Sequence, residues 1–225
     1  MCYNKIYNFN LKGELRMEYE IRFYYPMSEY NDKISCLEKI KGLKNNGRKY
    51  EKTSQFNHPS PEYDFYNKEI DGRFRIRITK NEEHTKCKLS WKRRLSNTIN
   101  SKFNKEEEVE LSINSHEYDN LIFIVKNVIH MNEVESYERY RTTYYNNEIE
   151  IAVDEYPFGI ALEIENKSNS ENPKEIVKKW TELLNLDINN SYKLSWDDKY
   201  TSLCKQQNIE ICKHVTFDKE MPEVK

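Results

Sequence analysis

Glycine and proline are scarce in this chain, with 5 Gly and 6 Pro in 225 residues, and long apolar runs are missing altogether. No stretch approaches the roughly 18–20 apolar residues that cross a bilayer, and the opening MCYNKIYNFN lacks the apolar centre of a secretory leader. A soluble, cytoplasmic protein with no membrane partner is therefore expected. The five cysteines (Cys2, Cys36, Cys87, Cys204 and Cys212) are odd in number and never spaced C-x-x-C, which argues against a disulfide framework or a structural zinc site. An excess of one charge sign is absent too. With 36 Lys and Arg against 38 Asp and Glu, nothing draws the whole molecule toward nucleic acid. The patterns G-x-x-x-x-G-K-[ST], H-E-x-x-H and G-x-S-x-G do not occur, so the chemistries they carry have no support.

Apolar material is short as well. Hydrophobic residues make up 37% of the chain and the mean hydropathy is -0.98, which leaves little to fill a compact interior. Yet 13% of the residues are aromatic, including 17 Tyr, which a disordered chain would not carry. Either the core is small or much of the inside is polar.

Alternation with a period of two marks the strands. From 16 to 24 it sets Arg16, Glu18, Glu20 and Arg22 against Met17, Tyr19, Ile21 and Phe23. After a turn at Asp71-Gly72, Arg73, Arg75 and Arg77 oppose Phe74, Ile76 and Ile78. Next, Lys86, Lys88, Ser90, Lys92 and Arg94 oppose Cys87, Leu89 and Trp91. Then Glu106, Glu108 and Glu110 oppose Val109, Leu111 and Ile113. Further strands are expected over 50–56, 63–66, 137–145, 148–154 and 160–165. Helical spacing predicts one helix over 28–47 and a second from a Ser115 cap through Leu121, Val125 and Ile129. A third is capped by Asn172 with Pro173 in its first turn; a fourth runs from Ser195, where Asp198 completes a capping box, to near Gln207. No repeat or linker divides the chain. The expected organisation is an extension over 1–16, with Met17 as an alternative start, one domain over 17–207 and a tail over 208–225, packed on the surface or loose.

Eight alternating strands with a few helices point to an α+β, mainly antiparallel β structure, closed as a barrel. A charged strand face ordinarily looks into solvent, but two features argue for an inward one. Lys outnumbers Arg 26 to 10, yet Arg22, Arg73, Arg75, Arg77, Arg93, Arg94, Arg139 and Arg141 all fall in predicted strands. The planar guanidinium fork suits phosphate oxygens and never loses its charge. The signs are also sorted by strand: Glu18/Glu20, Glu108/Glu110 and Glu163/Glu165 are E-x-E pairs whose carboxylates project about 7 Å apart from one face. Converging pairs of this kind form an oxygen-only site for Mg²⁺ or Mn²⁺, and neighbouring basic strands hold phosphates.

These residues resemble the CYTH superfamily of triphosphate tunnel metalloenzymes. E-Y-E-I-R at 18–22 is similar to its E-x-E-x-K signature. R-I-R at 75–77, the Lys88/Lys92 strand, E-V-E at 108–110, R-Y-R at 139–141, A-V-D-E-Y-P-F-G at 152–159 and E-I-E at 163–165 follow in that family's order, across about residues 17 to 200. The resemblance implies an eight-stranded antiparallel tunnel, with helices outside, that binds a triphosphate together with Mg²⁺ or Mn²⁺. It implies that Glu18, Glu20, Glu163 and Glu165 hold the metal, with Asp154 contributing through it or its water. Arg75, Arg77, Lys88, Lys92, Arg139 and Arg141 grip the phosphates, Lys193 covers the tunnel late in the chain, and Glu108 and Glu110 take a second metal or orient the attacking water. The signature Lys is Arg22 here, which orients phosphate but cannot accept a proton.

The implied activity is hydrolysis of a small triphosphate: tripolyphosphate, a nucleoside triphosphate or thiamine triphosphate. A class IV-type adenylyl cyclase, an RNA 5′-triphosphatase that meets nucleic acid only at a triphosphate end, and an idle binder of phosphorylated ligands are the alternatives. A monomer or homodimer serves any of them. The five histidines are dispersed, and Trp91 and Trp180 fall on apolar stripes expected in the core. Trp196 either packs the fourth helix over the tunnel mouth or meets the non-phosphate part of a substrate.

Overall fold

The computed structural model describes residues 16–95 and 103–217. Apart from Arg16, the expected N-terminal extension lies outside the described residues, as does the end of the expected tail. Eight strands form one antiparallel sheet: β1 (Arg16–Tyr25), β2 (Lys44–Asn57), β3 (Gly72–Lys80), β4 (Thr85–Arg94), β5 (Asn104–Ile113), β6 (Asn132–Tyr145), β7 (Ile149–Tyr156) and β8 (Gly159–Asn166). Their order is β2-β3-β4-β5-β1-β8-β7-β6, and the long β2–β6 pairing closes the ring. The closed eight-stranded barrel expected from the alternation is present. A short β9 (His214–Val215) from the tail adds in parallel to β6.

The barrel is inside out by comparison with a packed one. Its interior is polar, and the apolar residues that alternate with the charged ones point outward under helices. Ile21, Phe23, Ile151, Val153, Leu162 and Ile164 pack there against Leu37 of α1 (Tyr30–Glu38) and Val177 and Trp180 of α3 (Pro173–Leu183). Phe56, Ile76 and Cys87 pack against Val125 and Met131, next to α2 (Tyr118–Phe123). A third cluster, including Tyr137, Tyr156, Phe158 and Trp196, lies under α4 (Trp196–Gln207). A modest apolar content thus suffices, because it is spread over the outer surface of one sheet.

Several element boundaries differ from the sequence reading. The first helix ends at Glu38, and residues from Lys44 onward join β2, where pairing of Lys44 with Tyr145 outweighs the helical spacing. Residues 63–66 are an irregular loop, not a strand: the Asn57 side-chain oxygen accepts from the backbone N–H of Phe65 and Tyr66, and that of Asp64 accepts from Tyr66 N–H. The second helix is only six residues long and finishes in a π turn, Ile124–Val128. The fourth keeps its expected start, with Ser195 and Asp198 in a reciprocal capping box. Gly159, in the β7–β8 turn, sits at φ 136° with Tyr25 O only 2.8 Å from where a Cβ would lie, so no other residue fits that turn without strain.

Candidate active site

The inward faces of the eight strands enclose a cavity of about 430 Å³ whose described lining contains no Val, Ile, Leu, Met or Phe. Nine Glu and eleven Lys or Arg line it instead. One end is plugged by Trp196, whose ring centroid is 4.5 Å from that of Tyr137, and by the preceding chain, where Leu194 O accepts from Arg22 Nη1 at 3.2 Å. Trp196 therefore packs α4 over one end of the tunnel. The opposite end is edged by Asn46, Lys49, Asn81, His84 and Lys86.

Strand order sorts the charges. β5, β1 and β8 are neighbours, and their register pairs Glu18 with Glu106, Glu20 with Glu165 and Arg22 with Glu163. The glutamates of three strands thus form one acidic arc. Around the rest of the bore, β3 supplies Arg73, Arg75 and Arg77, β4, next to β5, supplies Lys88 and Lys92, and β6 supplies Arg139 and Arg141. Buried charges of this density persist only when paired, and most are. Lys92 Nζ lies 2.5 Å from Glu18 and 3.0 Å from Glu108. Arg22 donates to Glu163 at 2.6 Å and to Glu20 at 2.9 Å. Arg141 reaches Glu163 at 2.5 Å. Lys88 pairs with Glu110 at 2.6 Å near the open end.

Arg75 is the exception on the basic side. It is buried, its nearest charge partner is Glu108 at 3.8 Å, and its Nε has no hydrogen-bond partner. Burial and the adjacent Arg77 and Arg73 push its pKa down. On the acidic side the surplus is carboxylate. Burial and the neighbouring Glu18 raise Glu108 to about 7 and Glu165 to about 8; burial also raises Glu20, against the pull of Arg22 and with the repulsion of Glu106 and Glu163. The bore holds unsatisfied positive charge on one wall and crowded carboxyls on the other.

Glu18, Glu20, Arg22, Arg75, Arg77, Lys88, Lys92, Glu108, Glu110, Arg139, Arg141, Glu163 and Glu165, named from the sequence, all line this one cavity. Asp154 and Lys193 do not. Asp154 is fully buried behind Arg139 and Arg141 and accepts from both, which makes it a support for the basic wall. Lys193 sits half-buried in the segment leading to α4. Arg73 and Glu106, named from the sequence on charged strand faces, also line the cavity, paired at 2.9 Å; Glu51, which accepts from Arg139 at 2.8 Å, and Tyr137 line it without having been singled out. The inward alternation that marked Arg75 and Glu108 extends to Arg73 and Glu106. Glu51 lies in a strand polar on both faces and left no such signal.

Among the described residues no three carboxylates are drawn around one point as a finished metal cage. The donor chemistry nevertheless fits a hard divalent ion. Glu20 and Glu165 face each other across adjacent strands and all donors are oxygens; each has a cationic neighbour, Arg22 at 2.9 Å from Glu20 and Lys167 at 2.6 Å from Glu165.

No protein-family model matches the chain, and no curated protein does. Solved structures do. The chain is similar to the PH1819 protein from Pyrococcus horikoshii OT3, with a TM-score of 0.65 and 20% identity over 82% of this chain and 98% of that one. It is similar to a candidate adenylate cyclase from Vibrio parahaemolyticus, with a TM-score of 0.63 and 11% identity over 82% and 98% of the two chains. A candidate adenylyl cyclase from Hippeastrum that reveals a dominant triphosphatase activity aligns with a TM-score of 0.56 and 18% identity over 83% and 95%. The chain has the CYTH tunnel fold. No helix among its described residues is long and apolar enough to cross a membrane.

Proposed function

We propose that this CYTH-fold chain is a divalent-metal-dependent hydrolase of a small triphosphate. The observation that carries the reading is Arg75, a buried guanidinium without a hydrogen-bond partner inside an enclosed bore, facing an arc of crowded carboxyls. The lining carries eleven basic residues, and the carboxyls crowded on β1, β5 and β8 offer oxygen donors to a divalent cation that would share a triphosphate's charge with the basic wall. Glu18, Glu20, Glu163 and Glu165 are the residues that would hold Mg²⁺ or Mn²⁺. Bound there, the ion would supply positive charge opposite the phosphates and acidify a nucleophilic water.

The chain's own residues do the remaining work. Arg75, Arg77, Arg139 and Arg141 orient the phosphates and disperse charge as it shifts toward the leaving group, in a site already organised by Asp154 and Glu51. Lys88 and Lys92 extend the grip from β4. Arg22 holds Glu20 and Glu163 in place and contributes a fixed charge; it does not move a proton. The plugged end excludes water from one side and leaves the other as the route of entry.

Likeness to the Hippeastrum protein, with its dominant triphosphatase activity, favours hydrolysis over cyclisation. The test is a panel of tripolyphosphate, ATP, thiamine triphosphate and triphosphorylated RNA, each with Mg²⁺ and Mn²⁺. Release of orthophosphate is the expected result. Pyrophosphate with a cyclic nucleotide from ATP would replace the reading by a cyclase, and binding without release of either would replace it by a ligand-binding module.

A further inference from the structure

Tyr137 is the one ionisable lining residue on β6 that is neither basic nor a partner in an ion pair, and it sits where the basic wall converges. Its hydroxyl accepts from Arg77 Nη2 at 3.3 Å, and the Arg139 guanidinium lies 5.9 Å from its ring centre. Arg75, the guanidinium without a hydrogen-bond partner, adds a weaker positive influence on the phenol than Arg77 and Arg139. The same Arg77 donates from Nε to Thr53 Oγ1 at 3.0 Å, and its Nη1 lies 3.7 Å from the Glu51 carboxylate. From the far side, Trp196 and Tyr156 hold the ring at centroid distances of 4.5 and 5.8 Å. Tyr137 is 3% exposed, so water does little to screen these charges.

We propose that the Tyr137 oxygen is a second anion of the free tunnel beside the Glu51 carboxylate: as a phenolate it helps position Arg77 and Arg139, and it takes up a proton from solvent when phosphate oxygens replace it. This rests on the phosphate-binding reading of the bore. The groups facing Tyr137 support it. Arg75 and Arg77 of β3 and Arg139 of β6 are cationic; the Glu51 carboxylate of β2 pairs with Arg139 at 2.6 Å and lies 3.7 Å from Arg77, offsetting part of that charge; Thr53 of β2 and Trp196 of α4 carry no charge; Tyr156 of β7 is held neutral by burial. Burial alone would raise the phenol, but Arg77, Arg139 and Arg75 together bring it down to about 7. A phosphate placed among the same guanidiniums cancels that attraction, and the phenol regains its proton. No covalent bond changes: the proton passes from water to Oη, and the oxygen trades an ionic contact for a neutral hydroxyl. Tyr137 is thus a positioning residue whose titration is coupled to ligand binding.

The experiment follows the near-ultraviolet phenolate band of the full chain against Tyr137→Phe, which keeps the ring packed on Trp196. In the wild type, one tyrosine is expected to ionise near neutrality; in Tyr137→Phe that step is absent. Saturating tripolyphosphate without divalent metal should abolish the band at mildly alkaline pH. Calorimetry in buffers of different ionisation enthalpy should show up to about one more proton taken up on binding by the wild type than by Tyr137→Phe. Identical titrations of the two proteins overturn the inference. So does tripolyphosphate binding, seen as heat, that leaves the band unchanged, and in that case the phosphate-binding reading survives. A protein whose band and heat respond to neither tripolyphosphate nor inorganic phosphate overturns both.

Discussion

Asp154 and Arg141 form a two-pronged pair within the barrel wall: Arg141 donates from Nε to Oδ1 and from Nη2 to Oδ2, each at 2.6 Å. Asp154 Oδ2 also accepts from Arg139 Nη1 at 2.7 Å. One fully buried carboxylate therefore fixes two guanidiniums of the basic wall. Removing it strands both charges in a region where water cannot compensate, the situation in which loss of one partner costs most. Asp154→Ala is expected to lower the free energy of unfolding by about 3–5 kcal/mol, read from urea denaturation. A midpoint and slope equal to the wild type would show that the pair adds nothing to the fold.

Arg75 predicts the opposite balance. Its guanidinium is buried and held charged against both desolvation and its neighbours Arg77 and Arg73. In Arg75→Met an apolar side chain of similar length replaces that cost, so stability should hold or rise. Affinity for tripolyphosphate should fall by roughly 10- to 100-fold, the worth of a charge-assisted hydrogen bond. Parallel thermal melts and binding isotherms check both halves. A variant that loses stability and keeps its affinity would reverse the assignment.

Glu163 links the acidic arc to the basic wall, accepting from Arg22 at 2.6 Å and from Arg141 at 2.5 Å. Glu163→Gln keeps the size and one acceptor but removes the charge that both a cation and the two arginines use. Turnover of tripolyphosphate should drop by at least about 10²-fold, and Glu163→Ala should abolish it, with the far-ultraviolet circular dichroism of both preserved. Full activity of either variant with Mg²⁺ and with Mn²⁺ would refute the metal role of this carboxylate.

How far the sequence carried these conclusions depends on periodicity. Glu18, Glu20, Arg75, Arg77, Glu163 and Glu165 were legible because each lies on a strand whose other face is apolar, and the apolar face declares which way the charged one turns. Glu51 was not legible, since β2 alternates polar with polar around it and its direction is set by pairing with β3 and β6. Asp154 was read as a site residue from the A-V-D-E-Y-P-F-G motif; its place behind the arginines depends on side chains from β6 that no local pattern reveals. The first helix was drawn too long for a related reason: Leu43 keeps the helical spacing, but the chain beyond it gains a full ladder of hydrogen bonds as a strand.

Outside the bore, Tyr66, Glu135 and Asp197 join the 57–71 loop, β6 and α4 through one phenol. Tyr66 Oη lies 3.0 Å from Glu135 and 2.9 Å from Asp197, and its single proton can go to only one of them. Burial and the charge of Asp197 raise Glu135 to about 8, against the hydrogen bond from Tyr66 and a weaker pull from Arg73. The native state therefore holds a proton that the unfolded chain, with its carboxyl near 4.5, has released. The contribution to stability is full below 4.5 and is lost as pH rises through about 8. Melting temperatures of the wild type should fall across that window, while Glu135→Gln, neutral throughout, should fall less and cross above the wild type at the alkaline end. Parallel curves for the two proteins would mean that Glu135 is ionised in the native state across the range, and that the plug formed by α4 is latched by other contacts.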